Sequence, residues 1–170
     1  MTSKKVMYSS LKHCDGFIEV SRVKALYLYF LSYEFYMVVR NPTDRFLSFY
    51  KNKFIVTKNK KQPSIELFGQ VKGVNQVVEI LPNVINKDGH LHPQVKSQGI
   101  FVKSLGVFFK INPILVFKLE SDIETLEKLF QVKIPHKNST QGISQPKLTY
   151  RSKTIVKQLY REDYIRYGYK

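Results

Sequence analysis

Phe35-Tyr36-Met37-Val38-Val39-Arg40-Asn41-Pro42-Thr43-Asp44-Arg45-Phe46-Leu47-Ser48 is the stretch whose reading decides the fold. Its first five residues are a continuous apolar run of strand length, the pattern of a strand buried on both faces, as in a parallel sheet. Arg40-Asn41-Pro42 ends that strand and opens a helix at once. Asn41 can cap the helix, Pro42 suits a first position that needs no N–H donor, and Asp44 in the first turn complements the helix dipole. Phe46, Leu47, Phe49, Tyr50 and Phe54 supply the packing surface.

Outward from this unit the chain alternates. Toward the N-terminus, Val6 to Tyr8 reads as a short strand, Ser9 to Gly16 as a polar loop, and Phe17 to Phe30 as a helix with Phe17, Val20, Val23, Leu26 and Phe30 at helical spacing. Toward the C-terminus, Lys58-Asn59-Lys60-Lys61-Gln62-Pro63 is a basic break, and Ile65 to Leu81 reads as a helix or helix pair weakened at Gly69 and Gly73. Asn86 to Gly89 is a turn, and His90 to Gln94 a loop restricted by Pro93. Ile114 to Lys118 is a second strand, Asp122 to Phe130 an amphipathic helix, and Ser152 to Tyr167 a closing helix. Buried strands alternating with helices predict an α/β fold with a mainly parallel central sheet flanked by helices, and ligands at the carboxyl ends of the strands, where Arg40 falls.

A chain of 170 residues fits one domain, 1–170. Its 28 basic against 13 acidic residues give a net charge of +15, which draws it to nucleic acid, anionic membranes, polyanionic glycans or phosphorylated cofactors alike. With 43% hydrophobic residues it is not a disordered basic tail. Cys14 is the single cysteine, which excludes an intrachain disulfide framework and any zinc site built from several cysteines. The N-terminus lacks the apolar stretch of a secretory signal, and the most apolar window, Val23 to Val39, is interrupted by Lys24, Ser32 and Glu34. The expectation is a soluble, cytoplasmic protein with no transmembrane segment.

Arg40 to Ser48 places a guanidinium and a hydroxyl near one helix N-terminus. A planar arginine can bind phosphate bidentately, a serine hydroxyl can add a bond, and free backbone N–H groups at the helix start would add a third source of attraction. The bland alternative is a capped amphipathic helix with a surface arginine.

Val-Val-Arg-Asn-Pro-x-Asp-Arg-Phe-Leu-Ser-x-Tyr-x-x-Lys-Phe, from Val38 to Phe54, resembles the 3'-phosphate-binding segment of the carbohydrate sulfotransferase-like family. Two distant segments are similar in the same order. His90-Leu91-His92-Pro93-Gln94 resembles the family's His-Trp-x-Pro-Gln, with Leu91 in place of tryptophan, and Leu159 to Tyr169 resembles its acidic-aromatic closing helix. Asn138-Ser139-Thr140 is similar to an Asn-x-Ser stretch. The resemblance implies a P-loop-like three-layer fold and transfer of a sulfuryl group from 3'-phosphoadenosine 5'-phosphosulfate (PAPS) to a hydroxyl of a carbohydrate-type acceptor, and the positive charge of the chain suits either PAPS or an acceptor that is already anionic. It further implies that Arg40 and Ser48 hold the 3'-phosphate, with Arg45 in support.

The family's 5'-phosphosulfate loop has its nearest counterpart in Leu11-Lys12-His13-Cys14-Asp15-Gly16-Phe17, where Lys12 is the expected cation. Gly16 lies late in that loop, and the hydroxyl residues that should follow it are Phe17 and Ile18. Sulfuryl transfer needs in-line positioning and cations to neutralise the leaving phosphate, so this departure bears directly on activity. His90 and His92 are the candidate general bases, with His13, Glu19 and Glu34 as alternatives. Two histidines at i, i+2 beside Asp88 are a poor metal signature, and no metal is expected. Two other readings remain: a relative that binds the nucleotide without transferring sulfate, and a basic nucleic-acid-binding domain, which the scattered lysines, core-like aromatics and lack of a nucleic-acid motif disfavour.

Overall fold

The structure, a computed structural model, describes residues 21–56, 66–71, 73–102, 105–113, 115–134 and 144–170. The expected strand Val6 to Tyr8, the Lys12 loop, the start of the first helix, the basic break and Asn138-Ser139-Thr140 lie outside them. The chain divides into two compact units, one formed by Met1–Arg40 and Gln94–Ser139, the other by Asn41–Pro93 and Thr140–Lys170.

The first unit carries the strands. Helix α1 is Arg22–Phe30, capped by the Ser21 side chain, which accepts from the Lys24 N–H. Strand β1 is Tyr36–Val39, with Met37, Val38 and Val39 all buried, as a strand covered on both faces requires. It pairs in parallel with β4, Leu115–Lys118, Val38 lying opposite Phe117 and Val39 opposite Lys118. Helix α4, Ile123–Phe130, returns over this pair and buries Leu126 with Val38, Phe117 and Ile134. Between the parallel strands in sequence comes a 3-10 turn, Gln94–Gln98, then an antiparallel hairpin of β2, Gly99–Val102, and β3, Val107–Lys110. A Cβ at Gly99 would stand 2.1 Å from the tip of the exposed Phe108 ring, which would have to swing aside to admit it.

The hairpin is absent from the sequence expectation of a mainly parallel sheet. Among the described residues there is one parallel and one antiparallel pair, an α/β arrangement. In α1 the expected apolar stripe is only partly used: Leu26 is buried with Ile111, whereas Val23 and Phe30 are exposed.

The second unit is helical. Helix α2, Pro42–Tyr50, runs into a π-helical turn at Lys51–Val56. Helix α3 is Val74–Val84, α5 is Tyr150–Leu159 and α6 is Arg161–Tyr167. Val77, Val78 and Leu81 are fully buried with Phe46, Leu47, Val156 and Tyr160, each such side chain contributing about 1.5–3 kcal/mol. This stripe carries α3 past Pro82, beyond the expected end at Leu81. Its start is at Gly73, whose N–H donates to the Gln76 side chain, so Gly73 marks a helix boundary rather than a weak interior. The expected single closing helix is two, broken at Tyr160, whose ring is buried in the core.

Candidate functional site

Arg40 is the first residue beyond β1 and is half-buried. The ladder continues for one bond, the Leu119 N–H donating to the Val39 carbonyl at 2.8 Å. Successive residues of a strand present their backbone groups to opposite edges, so Arg40 turns its N–H and C=O away from β4. There the Gln94 carboxamide meets both. Its Oε1 accepts from the Arg40 N–H at 2.8 Å, and its Nε2 donates to the Arg40 carbonyl at 2.7 Å. Gln94 is completely buried. Both backbone groups of Arg40 are thus met by one side-chain amide.

Asn41 caps α2 as expected, its Oδ1 accepting from the N–H of Thr43 at 3.0 Å and, more distantly, of Asp44 at 3.4 Å. That result corrects the expectation of free N–H groups at this helix start. Pro42 has none, Thr43 and Asp44 turn theirs to the cap, and the Arg45 N–H donates to the Asn41 carbonyl. These three N–H groups are therefore already engaged within the helix start. Ser48, in the second turn of α2, is exposed.

Arg45 turns inward within the second unit. Its Nη2 donates to the His92 carbonyl at 2.7 Å, and its guanidinium lies 5.2 Å from the centre of the Tyr160 ring. The Tyr160 hydroxyl donates to the adjoining Leu91 carbonyl at 2.8 Å. Two side chains from α2 and the α5–α6 break thus fix two successive carbonyls of the histidine loop. Burial pushes the Tyr160 phenol up to about 12, with the Arg45 charge opposing, and burial reinforced by Asp163 takes Tyr167 to about 12 as well. Neither can exchange protons near neutrality. Thr43 Oγ1 and the Tyr164 hydroxyl, 2.6 Å apart, join the start of α2 to α6.

The two histidines differ. Asp88 Oδ1 lies 2.7 Å from His90 Nδ1 and also accepts from the His90 N–H at 2.8 Å. A carboxylate can only accept, so the proton of the neutral ring sits on Nδ1 and the lone pair on Nε2. His92 Nε2 faces the Asn86 carbonyl at 3.2 Å, which places the proton on Nε2. Asp88 and His90 therefore form an oriented acid–imidazole pair, whereas the His92 ring and carbonyl are both engaged in holding the loop. Sequence reasoning missed the parts played by Asp88, Gln94 and Tyr160. Asp-Gly-His at i, i+2 is an available signal for the first, since an aspartate commonly bonds the backbone two residues on.

No helix among the described residues is long and apolar enough to cross a membrane. No curated protein and no solved structure matches the chain. The sequence pattern described as the Sulfotransferase family matches residues 11–96, just over half of the chain, taking in Lys12, Arg40, Arg45, Ser48, His90, His92 and Gln94 and stopping short of the closing helices. With that match the chain belongs to the Sulfotransferase family.

Proposed function

We propose that this sulfotransferase takes its sulfuryl group from PAPS and passes it to a hydroxyl of a carbohydrate-type acceptor. Arg40 and Ser48 hold the 3'-phosphate and Lys12 the 5' end. The observation that carries the reading is Arg40 itself, at the carboxyl end of a buried parallel strand, inside the family match, with its backbone fixed by Gln94. The donor set fits a phosphate: a guanidinium fork and a hydroxyl, both able to donate to anionic oxygens. Arg45, bonded to the His92 carbonyl, serves by holding the histidine loop. The reading includes a P-loop-like three-layer arrangement with the chain acting as one domain.

The donor supplies an activated sulfuryl group when bound. His90 Nε2 takes the proton from the acceptor hydroxyl as the oxygen–sulfur bond forms and the sulfur–phosphate oxygen bond breaks, giving a sulfate ester and adenosine 3',5'-bisphosphate. Asp88 holds the ring and stabilises the imidazolium. Labelled sulfate transfer from PAPS across a panel of neutral and anionic saccharides tests the proposal. Wild-type protein should transfer, and His90→Ala should lower kcat by about 10²–10⁴-fold with bisphosphate affinity unchanged. Saturable nucleotide binding without transfer to any acceptor would instead support the non-transferring relative, toward which the Leu11 to Phe17 loop points by lacking hydroxyl residues after Gly16.

A further inference from the structure

We propose that Gln94 is a positioning residue for the donor anion, acting as a one-residue strand that fixes the backbone from which the Arg40 guanidinium projects; this rests on the reading that Arg40 binds the 3'-phosphate. Both bonds run to the same residue, one to its N–H and one to its carbonyl, across 54 positions of sequence. Glutamine and asparagine are the side chains that offer a donor and an acceptor in peptide-like geometry. A fully buried carboxamide is stable only when bonded, and Gln94 meets both backbone groups of Arg40 just where β1 has ended.

The neighbouring turn residue separates this role from general support of the strand. Gln98 is also buried and also reaches β1, but its Nε2 faces Met37 Sδ at 4.0 Å, a side chain well inside the strand. Gln98 thus makes only this weak contact with β1, whereas Gln94 braces the residue that meets the anion. With its backbone already ordered, Arg40 need not be immobilised when the anion binds. Releasing it should weaken binding by about 5- to 30-fold.

The test titrates adenosine 3',5'-bisphosphate into the full chain and into Gln94→Glu, Gln94→Met, Gln98→Met and Arg40→Ala, with thermal stability measured in parallel. Gln94→Glu keeps the shape but turns a second acceptor toward the Arg40 carbonyl, so at pH 7.5 affinity should fall at least tenfold. At pH 5 a protonated carboxyl regains the donor, and the ratio to wild type at the same pH should narrow. A purely structural glutamine would not produce that recovery. Gln98→Met, which removes a buried side-chain oxygen that has no hydrogen-bond partner among the described residues, should leave affinity within about twofold. Wild-type affinity in Gln94→Glu and Gln94→Met, or equal losses in Gln94→Met and Gln98→Met, would overturn the assignment while Arg40→Ala still abolished binding. Absence of wild-type binding, or wild-type affinity in Arg40→Ala, would instead refute the functional reading beneath it. If the Gln94 variants do not fold, the wild-type side-chain amide resonances of Gln94 decide: they should shift on saturation with the bisphosphate, and unmoved resonances would overturn the proposal.

Discussion

Replacing Tyr160 by phenylalanine removes one oxygen from the core and keeps the ring. The hydroxyl donates to the Leu91 carbonyl at 2.8 Å, and both residues are 1% exposed. Water cannot replace the lost donor, so the change removes a buried hydrogen bond and strands a carbonyl, a cost of about 1–3 kcal/mol. The ring-face contact with the Arg45 guanidinium persists, while the interaction of Arg45 with the hydroxyl is lost with the oxygen. At roughly 2–4 °C per kcal/mol for a chain of this size, the melting temperature should fall by about 4–8 °C for a central loss of about 2 kcal/mol. Tyr150→Phe, at a side chain 88% exposed, should stay within about 0.5 kcal/mol.

Alkaline titration gives a second, independent signature. Tyr160 and Tyr167 titrate near 12 when folded against 10.0 when free. Between those values the folded state keeps protons that the unfolded state has released. The stability they contribute is complete below pH 10 and is lost as pH rises through 12, by about 1.4 kcal/mol per pH unit for each tyrosine. Tyr160→Phe should remove about one such contribution from the slope. Urea denaturation at pH 7, 10 and 11, followed by circular dichroism, measures both effects. A loss under about 0.5 kcal/mol at pH 7 together with an unchanged alkaline slope would refute the reasoning.

Three further outcomes are expected. Asn41→Ala, which strips the cap from α2, should cost about 1 kcal/mol in denaturation experiments. Asp122 accepts from the Lys118 N–H and the Ser121 hydroxyl, which hold its carboxyl below the usual value. Its contribution is present above the unfolded value of 3.8 and lost as pH falls through the lower folded one, so Asp122→Asn should be less stable than wild type at pH 7 and close to it at strongly acid pH. Asp88→Asn should lower kcat for sulfate transfer at least tenfold with little change in bisphosphate affinity, since it acts through His90.

What could be read from the sequence followed from local rules. The run Phe35 to Val39, of which Tyr36–Val39 form the strand, the Asn41 cap and Pro42 at the helix start each depend on residues within a few positions of one another. The parallel partner at Leu115–Lys118 was visible as a second apolar run. The hairpin was not: Gly99–Val102 and Val107–Lys110 lack a clean alternation, and the strands define each other by pairing. The closing helix breaks at Tyr160, whose hydroxyl reaches Leu91, 69 residues away, a pairing that no periodicity in either segment reveals. The site divides similarly. Arg40, Ser48 and the histidines stand out by residue type within a motif, whereas Gln94 matters only through a pairing made in the fold. The expectation of free helix-start N–H groups failed because the good cap that marks the helix also consumes them.

Calorimetric titration of adenosine 3',5'-bisphosphate into wild-type protein and Arg40→Ala, at low and high salt, tests the central claim most directly. The account predicts one saturable site in the wild type that survives the salt increase and disappears in the variant. Binding that is absent from the wild type, or that is equal in both proteins and lost with salt as generic attraction to a chain of charge +15 would be, contradicts it.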